Sequence, residues 1–344
     1  MNNFFKINNK KLPINKRKYL LNLLNPTTKG SYYYQQTPIM EISKKQIGRV
    51  VLQCHQMVSL FKSLNISLKN KKMLDIGTGN GMVPKILLEI SELKEAVGTD
   101  PFLDGEHKSS WQRHSHKNSF FLIKRFISSN KNILDINVYK KFLKFENFSI
   151  YPIPISIKNN VNKKKKYKFL QLGAHNISSI KTKFDIIYCK AIEHIHDWEK
   201  VVKNINSVSK KNSVVYIKHR SFFSYLGAHR YSSTFIPWGH VLMTDKEMVN
   251  YVSKFHNERK KDFLDFYFKG LCYPRMTVNE LLTIFQKYGF ILKLVQIEKP
   301  RHNNKTNKFI RNVKNFWKII WKNYPRVSSE EVLSGIYHIV LEKK

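Results

Sequence analysis

Three glycines on alternate positions follow a short apolar segment that contains an acid. Residues 72–81 read Lys-Met-Leu-Asp-Ile-Gly-Thr-Gly-Asn-Gly, with Asp75 ahead of Gly77, Gly79 and Gly81. Glycines at this spacing let the backbone turn tightly out of a strand and approach a ligand closely, because no Cβ stands in the way. The residues after the loop have apolar positions at helical spacing. The pattern predicts a strand, a glycine turn and a helix, the first βα unit of a nucleotide-binding sheet.

The spacing of the glycines narrows the class of nucleotide. The dinucleotide fingerprint has glycines at its first, third and sixth positions, whereas here they fall at the first, third and fifth. A second apolar segment ends in Asp100, 23 residues after Gly77. A carboxylate there can accept hydrogen bonds from both ribose hydroxyls of an adenosine-containing ligand. Asp100 could instead form a turn at the strand end, but the glycine loop favours the ribose role.

Three segments resemble the motifs of class I S-adenosylmethionine-dependent methyltransferases. They are the glycine loop at 72–81, the segment Lys-Phe-Leu-Gln-Leu-Gly-Ala-His at 168–175, and the Phe-Asp-Ile-Ile-Tyr-Cys strand with the following Ala-Ile-Glu-His-Ile at 184–195. The resemblance implies S-adenosylmethionine as the cofactor, with its methionine part on the loop. It also implies an α/β fold, a Rossmann-like seven-stranded, mostly parallel sheet with helices on both faces, and the long segments after strands 2 and 5 predict insertions there. The cofactor-binding residues that it implies are Asp75, Gly77, Thr78, Gly79, Asp100, Ala174, His175 and Lys190.

One position departs from the family pattern. Ala174 stands where the family often has an aspartate beside the adenine. A carboxylate contact to the adenine amino group is therefore absent, and His175 or a backbone group is expected to replace it.

Histidines follow the fourth and fifth strands, where ligands bind in open α/β sheets. Methyl transfer to an oxygen needs alignment of the acceptor and benefits from a base with a pKa near 7, for which histidine is the natural candidate. His219, His229 and His240 are the candidates for a catalytic or acceptor-binding role, with a structural role as the alternative for each. Their spacings of 10 and 11 residues match no compact zinc-ligand pattern, so no metal is expected.

Composition bounds the class of protein. The chain has 344 residues, 42% of them hydrophobic, which suits a packed globular core. Three scattered cysteines indicate a reducing compartment, and the absence of a long apolar run or signal-peptide pattern predicts a cytoplasmic protein without a transmembrane segment. The net charge is +37, but only 11 of the 61 basic residues are arginines. Lysine spread evenly among Asn and Ile is typical of compositional bias, whereas surfaces that read phosphate favour Arg.

The leading interpretation is a methyltransferase acting on a small-molecule or glycan acceptor, at an oxygen atom. An RNA-directed methyltransferase is the alternative that the charge suggests, since a polyanion would be attracted to this chain. The Asn/Asp-Pro-Pro-aromatic motif of base-amino methyltransferases is absent after the fourth strand, where the chain reads Cys-Lys-Ala-Ile. A non-catalytic binding protein that kept the methyltransferase fold is a third possibility.

The elements that position these residues divide the chain as follows. Residues 1–42 are predicted to form a basic, irregular N-terminal arm, and residues 43–344 a class I methyltransferase domain. Insertions are expected at about 101–166, as a lid or partner surface, and at 219–276, as the acceptor-binding region. Capping boxes at Thr244 and Thr277 predict helix starts. Residues 300–332 read as a basic connection before a final antiparallel strand at 335–341.

Overall fold

A computed structural model describes residues 4–14, 44–79, 81–101, 166–225, 227, 229, 232–298 and 303–344. The strands are β1 (Phe4–Ile7), β2 (Lys10–Pro13), β3 (Lys72–Ile76), β4 (Glu95–Thr99), β5 (Lys166–Leu170), β6 (Phe184–Cys189), β7 (Ser209–His219), β8 (Phe290–Ile297) and β9 (Tyr337–Lys343). Seven of them form one sheet in the order β5-β4-β3-β6-β7-β9-β8. All its pairs are parallel except those of β9, which runs antiparallel to β7 and β8. The predicted Rossmann-like, mostly parallel sheet is confirmed.

Helices cover both faces of this sheet. They are α1 (Lys44–Ser63), α2 (Met82–Ile90), α3 (Trp198–Val208), α4 (Gly239–Leu242), α5 (Asp245–Phe255), α6 (Lys260–Asp265), α7 (Val278–Lys287), α8 (Asn303–Asn312), α9 (Phe316–Asn323) and α10 (Ser329–Leu333), with single turns at Ala174–Ser179, Ile192–His194, Asn257–Arg259 and Phe266–Gly270. Successive side chains of a strand point to opposite faces. Leu74 and Ile187 accordingly pack with α3 and α7, while Met73 and Ile186 pack with α1 and α2.

The glycine loop lies at the point where the sheet changes direction. From β3 the chain proceeds to β4 and β5 on one side, and then to β6 and β7 on the other. Such a switch point leaves a crevice at the carboxyl ends of the strands, where ligands bind in open α/β sheets. The glycine loop follows β3, Glu193 lies in the turn Ile192–His194 that follows β6, and His219 is the last residue of β7.

A second hydrophobic cluster lies beyond the sheet. It joins the chain between β7 and α7 to α8, α9 and α10. The hairpin β1-β2 also belongs to it, through the buried side chains of Phe5 and Leu12. An ion pair of 2.6 Å between Lys10 and Glu247 fastens the hairpin to α5. The sequence did not predict this hairpin, because four-residue strands in a lysine-rich segment carry almost no periodicity.

Element boundaries agree with the sequence in most places. The capping boxes predicted at Thr244 and Thr277 are both present, at the starts of α5 and α7. The last strand begins at Tyr337, two residues later than expected. The basic connection predicted at 300–332 contains three helices, α8, α9 and α10. The first predicted insertion falls almost wholly outside the described residues, as do residues 15–42 of the N-terminal arm. None of the described helices is long and apolar enough to cross a membrane.

Candidate active site

The backbone of the glycine loop requires glycine. Gly77, Gly79 and Gly81 have φ angles of +71°, +57° and +72°, in the left-handed region that a Cβ disfavours. The backbone N–H groups of Gly77 and Thr78 both donate to the carbonyl of Thr99, at 2.8 and 3.0 Å, so the loop is tied to the end of β4. A Cβ on Gly77 would lie 2.5 Å from the Cβ of Ala191. The loop therefore packs directly on the segment that follows β6.

Two buried acidic residues, Asp75 and Asp100, each accept a hydrogen bond from the glycine loop. Asp75 accepts a hydrogen bond of 2.7 Å from the Thr78 hydroxyl. Burial raises the pKa of Asp75 to about 7, against the lowering effect of that hydrogen bond. Asp100 accepts a bond of 3.0 Å from the Gly79 N–H. Asp100 therefore lies beside the loop, at Gly79, while Asp75 is bonded to Thr78 within the loop.

The loop and its neighbours fit a nucleoside ligand. Nothing in the described part of the chain comes within 4 Å of a Cβ placed on Gly79, so the loop is open on that side and a ligand can approach its backbone. Asp100 supplies a carboxylate at the adjoining strand end. Lys190, directly after β6, lies close enough to lower the pKa values of Asp75 and Cys54 by its charge. The sequence-predicted Asp75, Thr78, Asp100 and Lys190 thus gather at one end of the sheet.

The predicted adenine turn is held by contacts of its own. Ala174 is buried, and His175 donates a ring N–H to the carbonyl of His196 at 2.7 Å. The side-chain amide of Asn204 donates to the carbonyls of both Ala174 and His175. These bonds fix the turn after β5, and one ring nitrogen of His175 is committed to His196.

Tyr167 is a member of this site that the sequence did not reveal. Its hydroxyl lies where a Cβ of Gly81 or Gly98 would project, which makes small residues necessary at both positions. Burial raises the pKa of Tyr167 well above its usual value. No motif marks this tyrosine, because its position depends on the pairing of β5 with β4.

A histidine and a glutamate face each other at the ends of β6 and β7. The Nδ1 atom of His219 lies 3.9 Å from Oε2 of Glu193, and the edge of the imidazole contacts Trp198. Among the described residues, neither ring nitrogen of His219 nor Oε2 of Glu193 has a hydrogen-bond partner. The His219 side chain is only 1% exposed. Buried polar atoms without partners cost about 1–3 kcal/mol each, and a hydroxyl group or water molecule in contact with both side chains would remove this cost.

The pair lines a small cavity. Its volume is ≈ 10 Å³, roughly the space that one water molecule needs. Phe222, Cys272 and Met276 complete its wall. Burial raises the pKa of Cys272 to about 12, so its thiol stays protonated at neutral pH. Besides this thiol, the acid–base groups that line the cavity are the imidazole of His219 and the carboxylate of Glu193.

Electrostatics keep the glutamate ionised. Burial raises the pKa of Glu193, but the neighbouring imidazoles of His219 and His194 outweigh that effect and hold the pKa below its usual range. An anionic Glu193 beside Nδ1 favours the tautomer of His219 that carries its proton on Nδ1. Glu193 belongs to a segment that resembles the family, but no role could be predicted for it from the sequence, because its partner His219 lies on β7.

The other two candidate histidines have different surroundings. His240 is buried, donates from Nε2 to the carbonyl of Ser224 at 3.0 Å and packs against the ring of Phe222. Burial lowers the pKa of His240 to about 4. His229 lies against the rings of His194 and Phe266 with a φ of +57°. Within the described ranges no group of three His, Cys, Asp or Glu side chains is placed to hold a metal ion, so the three histidines do not form a ligand set.

An arginine braces the wall of the cavity from behind. The guanidinium of Arg275 lies 4.0 Å from the ring centre of Phe222 and 4.6 Å from that of Tyr267. It also donates to the carbonyl of Cys272 at 2.6 Å. Two lining residues that are 50 positions apart in sequence are thus held by one side chain, and no local pattern in the sequence could have shown this.

Comparison with known proteins places this geometry in a family. Residues 54–292 match the sequence model of a family described as a methyltransferase domain. A comparison with curated proteins finds no significant sequence match. Solved structures similar to this chain include an S-adenosylmethionine-dependent methyltransferase from Mesorhizobium loti, with 10% identity over 84% of this chain and 98% of that one, at a TM-score of 0.42.

Two further solved structures are similar over most of their length. The cyclopropane synthase MmaA2 from Mycobacterium tuberculosis shares 13% identity over 95% of each chain, with a TM-score of 0.44. The magnesium protoporphyrin IX methyltransferase ChlM from Synechocystis PCC 6803, solved with bound SAH, shares 9% identity over 91% of each chain, with a TM-score of 0.41. The assignment rests on the family match, which spans well over half of the sequence and includes the glycine loop, Asp100, Glu193 and His219. The chain belongs to this methyltransferase family, which confirms the predicted class I methyltransferase with S-adenosylmethionine as its methyl donor.

Proposed function

We propose that this protein methylates an oxygen atom of a small-molecule or glycan acceptor, with His219 as the proton acceptor and Glu193 as the residue that orients it. One observation carries the proposal. His219 is buried at the end of β7 with both ring nitrogens lacking a hydrogen-bond partner among the described residues, and a carboxylate faces its Nδ1 atom. His219 differs in this from His240, whose Nε2 donates to the Ser224 carbonyl, and from His256, of whose two nitrogens only Nε2 is a buried atom without a partner among the described residues.

The methyl donor is assigned to the glycine loop. When bound, S-adenosylmethionine supplies an electrophilic methyl group on a sulfonium, whose carbon–sulfur bond breaks as the acceptor oxygen bonds to that carbon. Gly77, Thr78 and Gly79 provide the backbone against which the ligand lies, and Asp100 accepts from its ribose hydroxyls. Ala174, His175 and Lys190 complete the proposed site. The open space beside Gly79 supports this assignment.

The chain between the loop and the cavity connects donor and acceptor. Ala191 packs on Gly77, and Glu193, two residues later, faces His219. The reactive hydroxyl of the acceptor takes the water-sized space of the cavity, and it lies there within reach of Nε2 of His219. As the acceptor oxygen forms its new bond, its proton passes to Nε2, and the anionic Glu193 stabilises the resulting imidazolium through Nδ1. A general base of this kind contributes about 10²- to 10⁴-fold to the rate.

We place this reaction in the cytoplasm. All three cysteines are free and buried, and burial raises the pKa of each thiol. Buried thiols that form no disulfide are typical of proteins from a reducing compartment. The large net charge remains the argument for an RNA acceptor, which the experiment below includes.

The test is a turnover assay with a panel of acceptors. The full chain is incubated with S-adenosylmethionine and either hydroxyl-bearing phenols and sugars or total RNA, and S-adenosylhomocysteine is quantified. We expect turnover with a hydroxyl acceptor. His219→Asn should lower that turnover about 10²- to 10⁴-fold while leaving the affinity for S-adenosylmethionine unchanged.

A matched variant controls for loss of packing. His256 is also buried and stacks on Phe235, on the far side of the second cluster. His256→Asn should keep turnover close to that of the wild type. Equal losses in the two variants, or turnover with RNA alone, would show that the proposed acceptor chemistry is wrong.

A further inference from the structure

The helices α8 and α9 carry a basic surface that the proposed reaction does not use. Residues 299–329 contain nine Lys or Arg residues and no Asp or Glu. In the described part of this segment the exposed side chains include Lys308, Arg311, Lys314, Lys318, Trp321 and Lys322, which we call the α8–α9 surface. A stretch of this length with charges of one sign is complementary to an anionic partner.

The surface pairs an aromatic stripe with a lysine stripe. On α9, Phe316 and Ile320 are buried in the second cluster and anchor the helix. Trp317 and Trp321 are one turn apart next to that buried face, and Lys318 and Lys322 are one turn apart on the side away from it. The helix thus places tryptophan between the protein core and a row of positive charges.

The tryptophans present apolar surface outward. Their rings stack on each other, with centroids 5.5 Å apart and an angle of 24° between the planes. The indole N–H of Trp321 donates to the carbonyl of Val327 at 3.1 Å, yet 44% of the residue remains exposed. Because the polar atom of Trp321 is already bonded within the protein, the exposed part of the ring offers hydrophobic contact and no free donor.

A groove extends this apolar surface. Its volume is ≈ 590 Å³, and its lining includes Ile310, Val313, Phe316 and the two tryptophans, with Lys318 contributing as well. Aliphatic and aromatic side chains beside lysines match a partner with an apolar layer beneath a negatively charged one. A bilayer containing anionic lipids has this arrangement, and tryptophan is enriched at its interface.

We propose that the α8–α9 surface docks the protein on an anionic membrane, with Trp321 entering the interface and the lysines lying among the headgroups. Single-stranded nucleic acid is the other polyanion that aromatic and basic residues bind, and it requires open ring faces for base stacking. The mutual stacking of Trp317 and Trp321 uses one face of each ring, and the third aromatic residue of the groove, Phe316, is buried and offers no face to a base. The membrane is therefore the better match, and this inference does not depend on the acceptor of the methyl group.

The test is vesicle co-sedimentation of the full chain. Vesicles of phosphatidylcholine alone are compared with vesicles in which the anionic lipid phosphatidylglycerol replaces part of the phosphatidylcholine, because anionic headgroups attract basic segments. We expect binding only to the anionic vesicles, with a blue shift of tryptophan emission. Each basic residue near such a surface contributes about fivefold to binding. The double variant Lys318→Glu/Lys322→Glu should therefore lose at least about 25-fold in partitioning.

A control variant separates this surface from the general charge of the protein. Lys203 and Lys211 are exposed, in α3 and in β7 near the amino end of that strand, away from α9. Lys203→Glu/Lys211→Glu changes the net charge equally and should bind almost as well as the wild type. Trp321→Ser should abolish the blue shift and weaken binding while the lysines are intact. Equal losses in the two lysine variants would overturn the proposal, and so would equal binding to both kinds of vesicle. The proposal is also wrong if Lys318 and Lys322 bind a single-stranded oligonucleotide and the protein does not bind vesicles.

Discussion

The proposed donor end and the proposed acceptor end of the site are built by different means, and they are called the donor end and the acceptor end below. At the donor end, the backbone makes the site, since Gly77 and Gly79 adopt positive φ angles and consecutive N–H groups bond to the Thr99 carbonyl. At the acceptor end, side chains make it. Glu193 and His219 come from the ends of two strands, and Phe222 and Cys272 close the cavity from the chain between β7 and α7.

This difference determines how each end tolerates change. A backbone-built site depends on a few positions where only glycine fits, so single substitutions there act on folding as well as binding. A site built from side chains depends on packing over long sequence distances, so its geometry can vary while the fold is kept. The donor loop is therefore expected to tolerate few substitutions. The acceptor cavity is expected to be the part that determines which acceptor binds.

The largest effect that tests this contrast comes from a pair of glycine variants. Both Gly77→Ala and Gly79→Ala place a Cβ on a left-handed residue, which costs about 1–2 kcal/mol. Gly77→Ala also brings its Cβ to 2.5 Å from that of Ala191, whereas Gly79 has open space. Such overpacking adds about 1–3 kcal/mol. Urea unfolding without ligand should show a loss of about 2–5 kcal/mol for Gly77→Ala and about 1–2 kcal/mol for Gly79→Ala.

Equal losses in the two variants would mean that the loop does not rest on the segment after β6. That result would remove the physical connection between donor and acceptor ends, because Ala191 is the residue through which they touch.

The next effect isolates the ligand side of the donor end. Asp100→Ala removes a carboxylate that holds the Gly79 N–H and is proposed to accept from the ribose. A hydrogen bond to a charged group contributes about 1.5–3 kcal/mol, so the Kd for S-adenosylmethionine should rise roughly 10- to 100-fold. Calorimetry measures this change. Glu95→Gln, at the opposite end of the same strand, should leave the Kd unaltered, and a similar loss there would indicate a general disturbance of β4.

The sequence alone was enough to predict the proposed donor end, because the constraints on its residues are local. Asp75, the three glycines and Asp100 are legible as a pattern, and the structure brings all of them to one end of the sheet. It also revealed the order and kind of most sheet elements, through apolar segments and two capping boxes. Tyr167, Arg275 and the pairing of Glu193 with His219 were not accessible, because each depends on elements that only the folded sheet places side by side. The hairpin at Phe4–Pro13 was missed because its short strands carry almost no periodicity and its contacts are with residues distant in sequence, such as Glu247.

The pH dependence of the unfolding free energy tests whether His240 is a core histidine of the acceptor end, unlike His219 in the cavity. Burial lowers the pKa of His240 to about 4 in the folded protein, while an unfolded chain has a value near 6.5. The folded state therefore binds fewer protons between these two values. The stability that His240 contributes is complete above pH 6.5 and falls by about 1.4 kcal/mol per pH unit as the pH drops towards 4.

Urea unfolding of His240→Asn over this range checks that slope. The dependence of the unfolding free energy on pH should be shallower in the variant than in the wild type by that amount. The variant itself is less stable at neutral pH, but the comparison uses slopes and is unaffected by this offset. An unchanged slope would mean that His240 is solvated and protonates in the folded protein, and the acceptor end would then be more open than its packing indicates.

The smallest effect is a loss of stability that should be the same in the acceptor region and beside the sheet, since both contain a helix with the same N-terminal cap. Thr244 and Thr277 each accept from the N–H of a glutamate three residues later, and each glutamate bonds back, so α5 and α7 begin with the same device. Replacing Thr by Ala at an N-cap lowers the free energy of unfolding by about 1 kcal/mol, because a backbone N–H in the first turn of the helix loses its acceptor. Thr244→Ala in the acceptor region and Thr277→Ala beside the sheet should therefore lose similar stability in urea. A clearly larger loss at Thr244 would show that the contact of Glu247 with Asn8 and Lys10 depends on the cap, and that the hairpin, α5 and the acceptor region unfold as one cooperative unit.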